Sequence, residues 1–388
     1  MSYASADFLR ARHVRLRDAF GAAGFDGLIV TELPNIFYLT NFSGSAAIVV
    51  LTAERLLFVT DFRYVTAVES ARTAGTAPPD LELIRVDGSY DETLVRVLQG
   101  LPGARVGFEA AHLSFSRHRW LARALGLEGG AGGAACRLEP TEGLVEEGRL
   151  RKDAHEIATL RAGAAMISAA TADILSEVQA GRTERDVAAA VDWRMRQAGF
   201  QRPAFETIVA SGPNGALPHA RPGPRTLTRG DLVVLDFGGV YDGYCVDLTR
   251  MASLGPPDAE ARRVYDAVAE AHAAAVAAVR PGVSRFAIDQ AARDTLARHG
   301  LAEQFGHGTG HGLGIDVHER PRITRRPAGG APPSEAGEAE AVETHMVFTI
   351  EPGAYLPGRL GVRIEDDVVV TSSGVELLTT AARDLAIR

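Results

Sequence analysis

The sequence has little cysteine, no excess of positive charge and no long apolar run. Its two cysteines, Cys136 and Cys245, are few for 388 residues, which favours reduced thiols over a disulfide. The net charge of −8 disfavours a nucleic-acid-binding face, which needs a surplus of Lys and Arg. No apolar run approaches the roughly 18 residues of a membrane span, and residues 1–20 lack the unbroken apolar segment of a secretory signal. We therefore expect a cytoplasmic protein without a nucleic-acid or membrane partner.

The chain length predicts two domains, because 388 residues exceed what one hydrophobic core ordinarily holds. Residues 1–140 alternate short β-branched runs with helical stretches, which is typical of an α/β domain. AAIVVLT and RLLFVTD are separated only by Ala53 and Glu54, so they predict a β-hairpin, and ELPN (32–35) indicates a turn. Strands are expected at 26–30, 46–52, 55–61, 81–87 and 104–110, and helices at 8–24, 62–73, 90–99 and 115–125.

Residues 141–388 change in character and predict an α+β domain, with helices separated by strand-rich segments. The glycine-rich stretch 126–135 indicates a surface loop or the approach to a domain boundary. The stretch 325–343, rich in proline, glycine and glutamate, indicates a mobile surface loop. Helices are expected within 147–180 and at 183–199, 258–279 and 284–299.

Two aspartates interrupt apolar, strand-like runs of the second domain. Asp236 lies in VVLDFGG and Asp247 in YCVDLTR, and a carboxylate in a buried strand is costly unless it is paired or bound to a metal. Either residue alone could equally be an edge-strand or hydrogen-bonded aspartate. A tight turn in the Tyr-Asp-Gly region (241–243) would place the two carboxylates directly opposite each other on one face. Two like charges so close predict a cation between them.

The same arrangement recurs towards the end of the chain. Glu351 lies in FTIEPG and Glu365 in VRIEDD, and Gly358 is midway between them. A hairpin around Gly358 would therefore bring the two glutamates face to face. Four carboxylates on two hairpins could hold two divalent ions through shared ligands.

Three histidines stand among glycines in GHGTGHGLGIDVHE (306–319). The glycines disfavour a helix that would put His307 and His311 on one face, so we expect a strand or loop with close backbone approach. A phosphate-binding loop is also disfavoured, because the stretch lacks a Walker lysine and a strand-loop-helix context. His311 is the candidate fifth metal ligand. His318 and His219 stand in loops, and each could either contact substrate or be a solvent-exposed loop residue without a function.

These motifs resemble those of the pita-bread metallopeptidases, specifically the proline-specific branch of Xaa-Pro dipeptidase and Xaa-Pro aminopeptidase. The N-terminal part resembles the creatinase-like domain of the same branch, so the resemblance covers nearly the whole chain. It implies an α/β N-terminal creatinase-like domain (1–140) and an α+β C-terminal pita-bread catalytic domain (141–388). The matching motifs, in chain order, are PNIFYLTNFSGSAAIVVLTAERLLFVTDFRY, LPHARP, LDFGGVYDGYCVDLTR, GHGTGHGLGIDVHE, FTIEPGAY and GVRIED.

The resemblance also implies roles for individual residues. Asp247 and Glu365 would bridge two metal ions, Asp236 would complete the shell of one ion, and His311 with Glu351 that of the other. Glu351 would in addition relay a proton during catalysis. His219 and His318 would steady the reacting groups, and Arg363 would bind a substrate carboxylate through its planar fork. The residues implied on the substrate side are His219, His307, His318, Tyr355 and Arg363.

The implied activity is hydrolysis of the peptide bond preceding proline by a hydroxide that a dinuclear metal centre activates. An oxygen-rich ligand set with one histidine and no thiolate suits Mn²⁺, with Co²⁺ or Zn²⁺ as alternatives. Xaa-Pro dipeptides are the favoured substrates, longer Xaa-Pro peptides of an aminopeptidase are the alternative, and a homodimer is implied. A creatinase-like amidinohydrolase and a non-catalytic binding protein are disfavoured, because all five implied ligands are present.

Overall fold

The computed structural model describes residues 3–127, 136–327, 329 and 340–388. The two stretches that the sequence indicates as loops, 126–135 and 325–343, therefore lie largely outside the described residues. Among the residues that are described, no helix has the length and apolar character needed to cross a membrane.

The chain divides into two compact units, Met1–Arg149 and Leu150–Arg388. The predicted two-domain architecture is thus confirmed. The boundary predicted at residue 140 falls within the last strand of the first unit, Arg137–Thr141.

The first unit is an α/β domain on one mixed sheet. Its helices are α1 (Ala6–Ala22), α2 (Leu33–Thr40), α3 (Phe62–Thr73), α4 (Tyr90–Gln99), α5 (Phe115–Ala124) and α6 (Leu144–Leu150), the last of which ends at the first residue of the second unit. Its strands are β1 (Gly27–Val30), β2 (Ile48–Thr52), β3 (Leu56–Thr60), β4 (Leu81–Arg85), β5 (Arg105–Glu109) and β6 (Arg137–Thr141). They lie in the order β4-β3-β2-β1-β5-β6. The strands β1, β2 and β3 are buried along their whole length, which explains their unbroken apolar sequences.

Two local predictions in this unit had different outcomes. The hairpin of AAIVVLT and RLLFVTD is confirmed, because β2 and β3 pair antiparallel with Leu51 opposite Leu56. The turn expected at ELPN was wrong, since Leu33 begins α2 and Pro34 lies in its first turn. Proline suits that place, because its φ is already helical and its missing N–H would have no partner there.

The second unit combines long helices with antiparallel strands. Its helices are α7 (Ala154–Ser176), α8 (Glu184–Ala198), α9 (Ala259–Ala278) and α10 (Arg285–Arg298), with short 3₁₀ turns at Gly212–Ala216 and Ala302–Gln304. Its strands are β7 (Arg202–Pro203), β8 (Ile208–Ser211), β9 (Leu232–Tyr241), β10 (Tyr244–Ser253), β11 (Gly310–Gly312), β12 (Glu319–Ile323), β13 (Val347–Ile350), β14 (Gly353–Leu356), β15 (Leu360–Arg363), β16 (Asp366–Thr371), β17 (Gly374–Leu377) and β18 (Ala386–Ile387).

These strands form three groups. One sheet runs β18-β10-β9-β7, with β8 also paired to β9; a second runs β12-β11-β13-β16-β17; and β14 pairs with β15 alone. An apolar core contains buried residues of α9, α10 and the strands β13 to β16. The predicted α+β class of the second domain is confirmed.

The strands β13 to β16 make one long hairpin with a constant register. β13 pairs with β16 and β14 with β15, and both ladders are centred on Gly358, whose φ of 71° shapes the tip. Between the two ladders the pairing opens, and Glu351 and Glu365 lie at this opening. The hairpin predicted around Gly358 is confirmed.

Candidate metal centre

The first pair of acids lies on the hairpin of β9 and β10. Its turn consists of Asp242 and Gly243, both with positive φ, which is the geometry of a tight two-residue turn. Asp236 therefore pairs with Thr249, and Asp247 pairs with Gly238. The prediction that the two aspartates face each other directly was wrong, because the turn is centred one residue later than expected.

This offset still leaves both aspartates on one face of the hairpin. The residue opposite Asp236 is Thr249, which lies two positions from Asp247. A shift of two residues preserves the side-chain face, and diagonal neighbours of this kind are within reach of one another. The two carboxylates therefore both line a single cavity.

The second pair of acids faces the same cavity from the long hairpin. Gly353 pairs with Arg363 on one side of the opening and Ile350 with Asp366 on the other, which sets Glu351 opposite Glu365. At the opening, the Glu351 amide donates to the carbonyl of Thr309 over 2.7 Å.

His311 reaches the acids from the short strand β11. A Cβ at Gly310 would meet the Thr349 carbonyl at 1.8 Å, and one at Gly312 would meet the Arg320 carbonyl at 2.1 Å. The close backbone approach expected from the glycines is thereby confirmed. His311 Nδ1 lies 3.0 Å from the Gly312 carbonyl, so Nδ1 carries the proton and Nε2 offers a lone pair.

The five candidate ligands converge on a cavity of about 540 Å³. Nε2 of His311 lies 3.6 Å from Oε1 of Glu351 and 3.9 Å from Oδ2 of Asp247. Asp247, His311 and Glu365 each offer one ligand atom, and these atoms lie within 4.8 Å of one another. The residues of this candidate centre that line the cavity are Asp236, Asp247, His311, Glu351 and Glu365.

The electrostatics of this cluster favour a bound cation. Oδ1 of Asp236 and Oδ1 of Asp247 are buried without a hydrogen-bond partner in the part of the chain that the structure describes. Burial, and then the charge of Glu365, raises the pKa of Asp247 well above its ordinary value. Burial likewise raises the pKa of Glu351 to about 7. Buried oxygens with unused lone pairs, crowded by like charges, are what a divalent ion would neutralise.

The neighbouring nitrogen and sulfur groups fit the same interpretation. Burial lowers the pKa of His311 to about 3, so its imidazole is neutral and able to bind metal. Burial raises the pKa of the Cys245 thiol to about 12, and its Sγ donates to the Ile315 carbonyl over 3.5 Å. Cys245 is therefore a packed thiol, and the candidate donor set is four carboxylates with one imidazole, which suits Mn²⁺.

Arg363 lines the cavity, but its donors are directed at the protein. Nε donates to Thr249 Oγ1 over 3.1 Å, and NH1 donates to the Pro218 carbonyl and to the Tyr355 hydroxyl. NH2 pairs with Asp236. This geometry shows that Arg363 holds the Asp236 carboxylate in place. The contact of the Arg363 fork with a substrate carboxylate stays a prediction.

Tyr355 is buried next to two residues that line the cavity. Its hydroxyl lies 2.9 Å from Nε2 of His307 and 3.0 Å from NH1 of Arg363, so it orients the His307 imidazole. A contact of Tyr355 with substrate stays a prediction. His307 itself lines the cavity, and burial lowers its pKa to about 4.

His318 and His219 also line the cavity. The ring of His318 lies 4.3 Å from that of His311. His219 stands in a loop that the buried carboxylate of Glu184 holds: Oε1 accepts from the amide of Ser211 over 2.8 Å, and Oε2 accepts from the amide of Gly223 over 3.1 Å. The structure thus brings all three predicted histidines, His219, His307 and His318, to one wall or another of the cavity.

Sequence reasoning missed part of the cavity wall. Arg322 pairs with His311 across β11 and β12 and lines the cavity, and this strand partnership could have been suspected from the alternation of HERPRI. Thr249 donates to Glu365 Oε2 over 2.6 Å, so it positions a candidate ligand. The apolar lining residues are Phe205, Ile208, Pro218, Ala220 and Val317.

Comparisons with known proteins agree with this geometry. The chain matches metallopeptidase family M24 over residues 158–372 and the Creatinase/Prolidase N-terminal domain over 12–151. It is 35% identical to the uncharacterized peptidase YqhT of Bacillus subtilis, over 96% of this chain and 99% of that one.

Solved structures extend the likeness to the whole fold. A Xaa-Pro dipeptidase from Bacillus anthracis has a TM-score of 0.87 at 34% identity, covering 98% of this chain and 100% of that one. An X-Pro aminopeptidase from Thermotoga maritima has a TM-score of 0.82 at 31% identity, covering 96% and 100%. The family and fold expected from the motifs are confirmed. This chain, with its creatinase-type N-terminal domain, belongs to the metallopeptidase family M24.

Proposed function

We propose that this protein is a metal-dependent peptidase that hydrolyses the peptide bond preceding proline. The observation that carries the proposal is the convergence of four carboxylates and one neutral imidazole on one cavity. Two of the buried carboxylate oxygens, Oδ1 of Asp236 and of Asp247, have no donor among residues 3–127, 136–327, 329 and 340–388. Relatives with the same fold are named as Xaa-Pro dipeptidases and an X-Pro aminopeptidase. The complete set of acids disfavours a creatinase-like amidinohydrolase or a binding protein without activity.

The five residues would hold two divalent ions. Asp247 and Glu365 would be shared, Asp236 would serve one ion, and His311 with Glu351 the other. The distances within 4.8 Å among ligand atoms of Asp247, His311 and Glu365 support the binding of one ion by these three residues. When bound, the ions would acidify a water molecule and polarise the scissile carbonyl. Mn²⁺ suits the oxygen-rich donors best, and Co²⁺ or Zn²⁺ are alternatives.

Side chains on the cavity wall supply the remaining catalytic functions, which are proton transfer, stabilisation of the carbonyl oxygen and substrate contact. Glu351 accepts a proton from the attacking water and passes it on towards the leaving nitrogen. His219 and His318 donate hydrogen bonds to the charge that develops on the carbonyl oxygen. His307, held by the Tyr355 hydroxyl, faces the substrate side of the cavity.

The cavity wall also supports specificity for proline. A proline nitrogen in a peptide has no N–H to donate, so a peptidase must recognise the ring by shape. Phe205, Ile208 and Val317 supply apolar surface for this ring. Arg322, on the same wall, supplies a cation for the free carboxylate of a dipeptide. We therefore favour Xaa-Pro dipeptides as substrates, with Xaa-Pro aminopeptidase activity on longer peptides as the alternative.

A substrate panel tests the proposal directly. The purified protein, loaded with Mn²⁺ or Co²⁺, is given an Xaa-Pro dipeptide, the C-terminal amide of that dipeptide and an Xaa-Pro-Xaa tripeptide. Hydrolysis of the dipeptide is expected, and Arg322→Gln should raise KM for the dipeptide more than for its amide. Preference for the tripeptide would identify an aminopeptidase, and failure with all three substrates would refute the peptidase. The homodimer and the cytoplasmic location stay predictions.

A further inference from the structure

The segment that carries His307 and His311 cannot fix its own conformation. Gly306, Gly308 and Gly310 alternate with Phe305, His307, Thr309 and His311, so every second residue lacks a side chain. Glycine-rich backbone loses more conformational entropy on ordering than other backbone does. Neighbouring elements must therefore supply the contacts that hold this segment. Strand β12 pairs with its end at Gly310 and His311, and helix α10 contacts its start, from Phe305 to Thr309.

Asp289 of α10 holds the centre of the segment. Its side chain is fully buried, and Oδ1 accepts from the Thr309 amide over 3.1 Å and from the Thr309 hydroxyl over 2.8 Å. One carboxylate oxygen thus binds both the main chain and the side chain of the residue midway between the two histidines. A charged acceptor makes such hydrogen bonds stronger than a neutral one.

Arg293, one helical turn further along α10, holds the start of the segment. Its NH1 donates to the Phe305 carbonyl over 3.1 Å, and NH2 donates over 2.5 Å to the carbonyl of His307. The guanidinium also lies 4.3 Å from the centroid of the Phe305 ring. Nε and NH2 together pair with both carboxylate oxygens of Asp289.

The segment contacts Glu351 on the metal side of the cavity and carries His307 on the substrate side. The Thr309 carbonyl accepts from the Glu351 amide over 2.7 Å, which connects Asp289 to a candidate metal ligand. The His307 main chain, held by Arg293, carries the imidazole that contacts Tyr355 on the substrate side. Asp289 and Arg293 therefore adjoin the metal side and the substrate side respectively.

An adjacent side-chain pair on the same helix has the same spacing but differs from Asp289 and Arg293 in burial. Gln290 donates to Asp294 over 2.7 Å with the same i, i+4 spacing, but this pair is exposed. Asp289 and Arg293 are buried, with side-chain exposures of 0% and 10%. Burying an ion pair rarely improves stability over apolar packing, so its retention here suggests a specific task.

We propose that Asp289 and Arg293 are positioning residues, which together set the place of the His307 imidazole and of Glu351 by clamping the backbone from Phe305 to Thr309. The consequence for catalysis rests on the proposed function, whereas the clamping of the backbone does not. Neither residue lines the cavity. Their effect on substrate is transmitted through the segment.

Three variants of the full-length protein test the clamp. Arg293→Lys keeps the charge next to Asp289 but loses the fork that reaches two carbonyls at once. Thr309→Val removes one hydrogen bond to Asp289 while keeping the shape of the side chain. Asp294→Asn, on the exposed pair, is the matched control. The readouts are kcat and KM for an Xaa-Pro dipeptide, Mn²⁺ affinity by titration calorimetry, and amide hydrogen exchange of the peptide spanning 305–311.

For Arg293→Lys we expect KM to rise about tenfold, kcat and Mn²⁺ affinity to change by less than about threefold, and exchange of the 305–311 peptide to accelerate. For Thr309→Val we expect faster exchange and a fall in kcat, because the Thr309 carbonyl that accepts from the Glu351 amide is then held less firmly by Asp289. Asp294→Asn should match the wild type in every readout.

The outcomes separate the clamp from the proposed function. If Arg293→Lys and Thr309→Val both match Asp294→Asn in exchange and kinetics, the clamp is refuted. Lower thermal stability with unchanged KM, kcat and exchange would also overturn it, since that marks a purely structural pair. If Arg293→Lys does not fold, Thr309→Val alone decides. If the wild type cleaves no Xaa-Pro substrate, the proposed function fails, while the exchange data still decide whether the backbone is clamped.

Discussion

The two units both bury carboxylates next to a sheet, but they satisfy them differently. In the first unit, Oε2 of Glu109 accepts from the amides of Thr31 and Glu32 over 2.7 and 2.9 Å, and Oε1 accepts from Asn35 Nδ2 over 2.7 Å. In the second unit, Asp247 is as deeply buried, yet its Oδ1 has no hydrogen-bond partner among the described residues.

The comparison teaches that burial alone does not mark a functional acid. Glu109 has enough protein donors, so its carboxylate ties β5 to the chain that enters α2. Asp236 and Asp247 keep unused lone pairs in a cavity, which in a native structure calls for a specific explanation. Substitutions and metal titrations can therefore separate the two kinds of buried acid.

The largest expected effect comes from Asp247→Asn. If Asp247 is a shared metal ligand, as proposed, its loss should lower Xaa-Pro hydrolysis by more than about a hundredfold, the upper range for losing only a hydrogen bond that supports a ligand. Metal content by inductively coupled plasma mass spectrometry should fall in parallel. Asp242→Asn, in the turn of the same hairpin, is the control and should keep both. Full metal content in Asp247→Asn would remove it from the ligand set.

Metal binding should stabilise the two units unequally. At a Mn²⁺ concentration one hundred times Kd, binding adds about 2.7 kcal/mol to the free energy of unfolding of the state that binds. Hydrogen exchange should show this protection in peptides from β9 and β10 and not in peptides from β1 and β2. Equal protection in both units, or none in either, would contradict the assignment of the cation to the second unit.

Glu109→Gln should destabilise the first unit and leave metal binding in the second unit unchanged. An amide cannot accept at both former carboxylate positions, so a donor is left unpaired, at a cost of about 1–3 kcal/mol. The exchange of peptides from β1 and β5 should accelerate. Mn²⁺ affinity and kcat should stay at wild-type values, and a weakened metal affinity would show that Glu109 is more than a structural acid.

The smallest expected effect is a pH dependence of the Glu109 contribution. Burial raises the pKa of Glu109 above its ordinary value of 4.5, so the folded state retains a proton that the unfolded state loses. The stability contributed by this group is therefore full below pH 4.5 and declines as the pH rises through the folded pKa. Thermal unfolding of the wild type and of Glu109→Gln, compared from pH 4.5 upwards, should show a steeper loss of stability in the wild type. A constant difference would contradict the raised pKa.

The two hairpins show how far the site could be predicted from sequence. For Glu351 and Glu365, their equal distance from Gly358 was enough to predict that they face each other, because the register is constant from tip to base. For Asp236 and Asp247, the midpoint argument misplaced the turn. The Asp-Gly dipeptide at 242–243 was the better signal, since two-residue turns require positive φ at both positions.

The side-chain network could not be predicted in the same way. Arg363 and Tyr355 occur in motifs that suggest substrate contact, yet their polar atoms contact His307, Thr249 and Asp236. Which atoms an arginine fork meets depends on residues far away in the chain. Sequence spacing therefore predicted where the candidate ligands converge, but not which neighbours hold them.

The constant register of the long hairpin has a consequence for how the chain tolerates changes of length. Because the pairing is counted from Gly358, residues added symmetrically at the tip would leave the arms facing as before. One extra residue in a single arm, between Glu351 and Gly353, would turn Glu351 to the opposite face while Glu365 stayed in place. The facing of the two glutamates thus depends on the number of residues in each arm and not on the length of the tip.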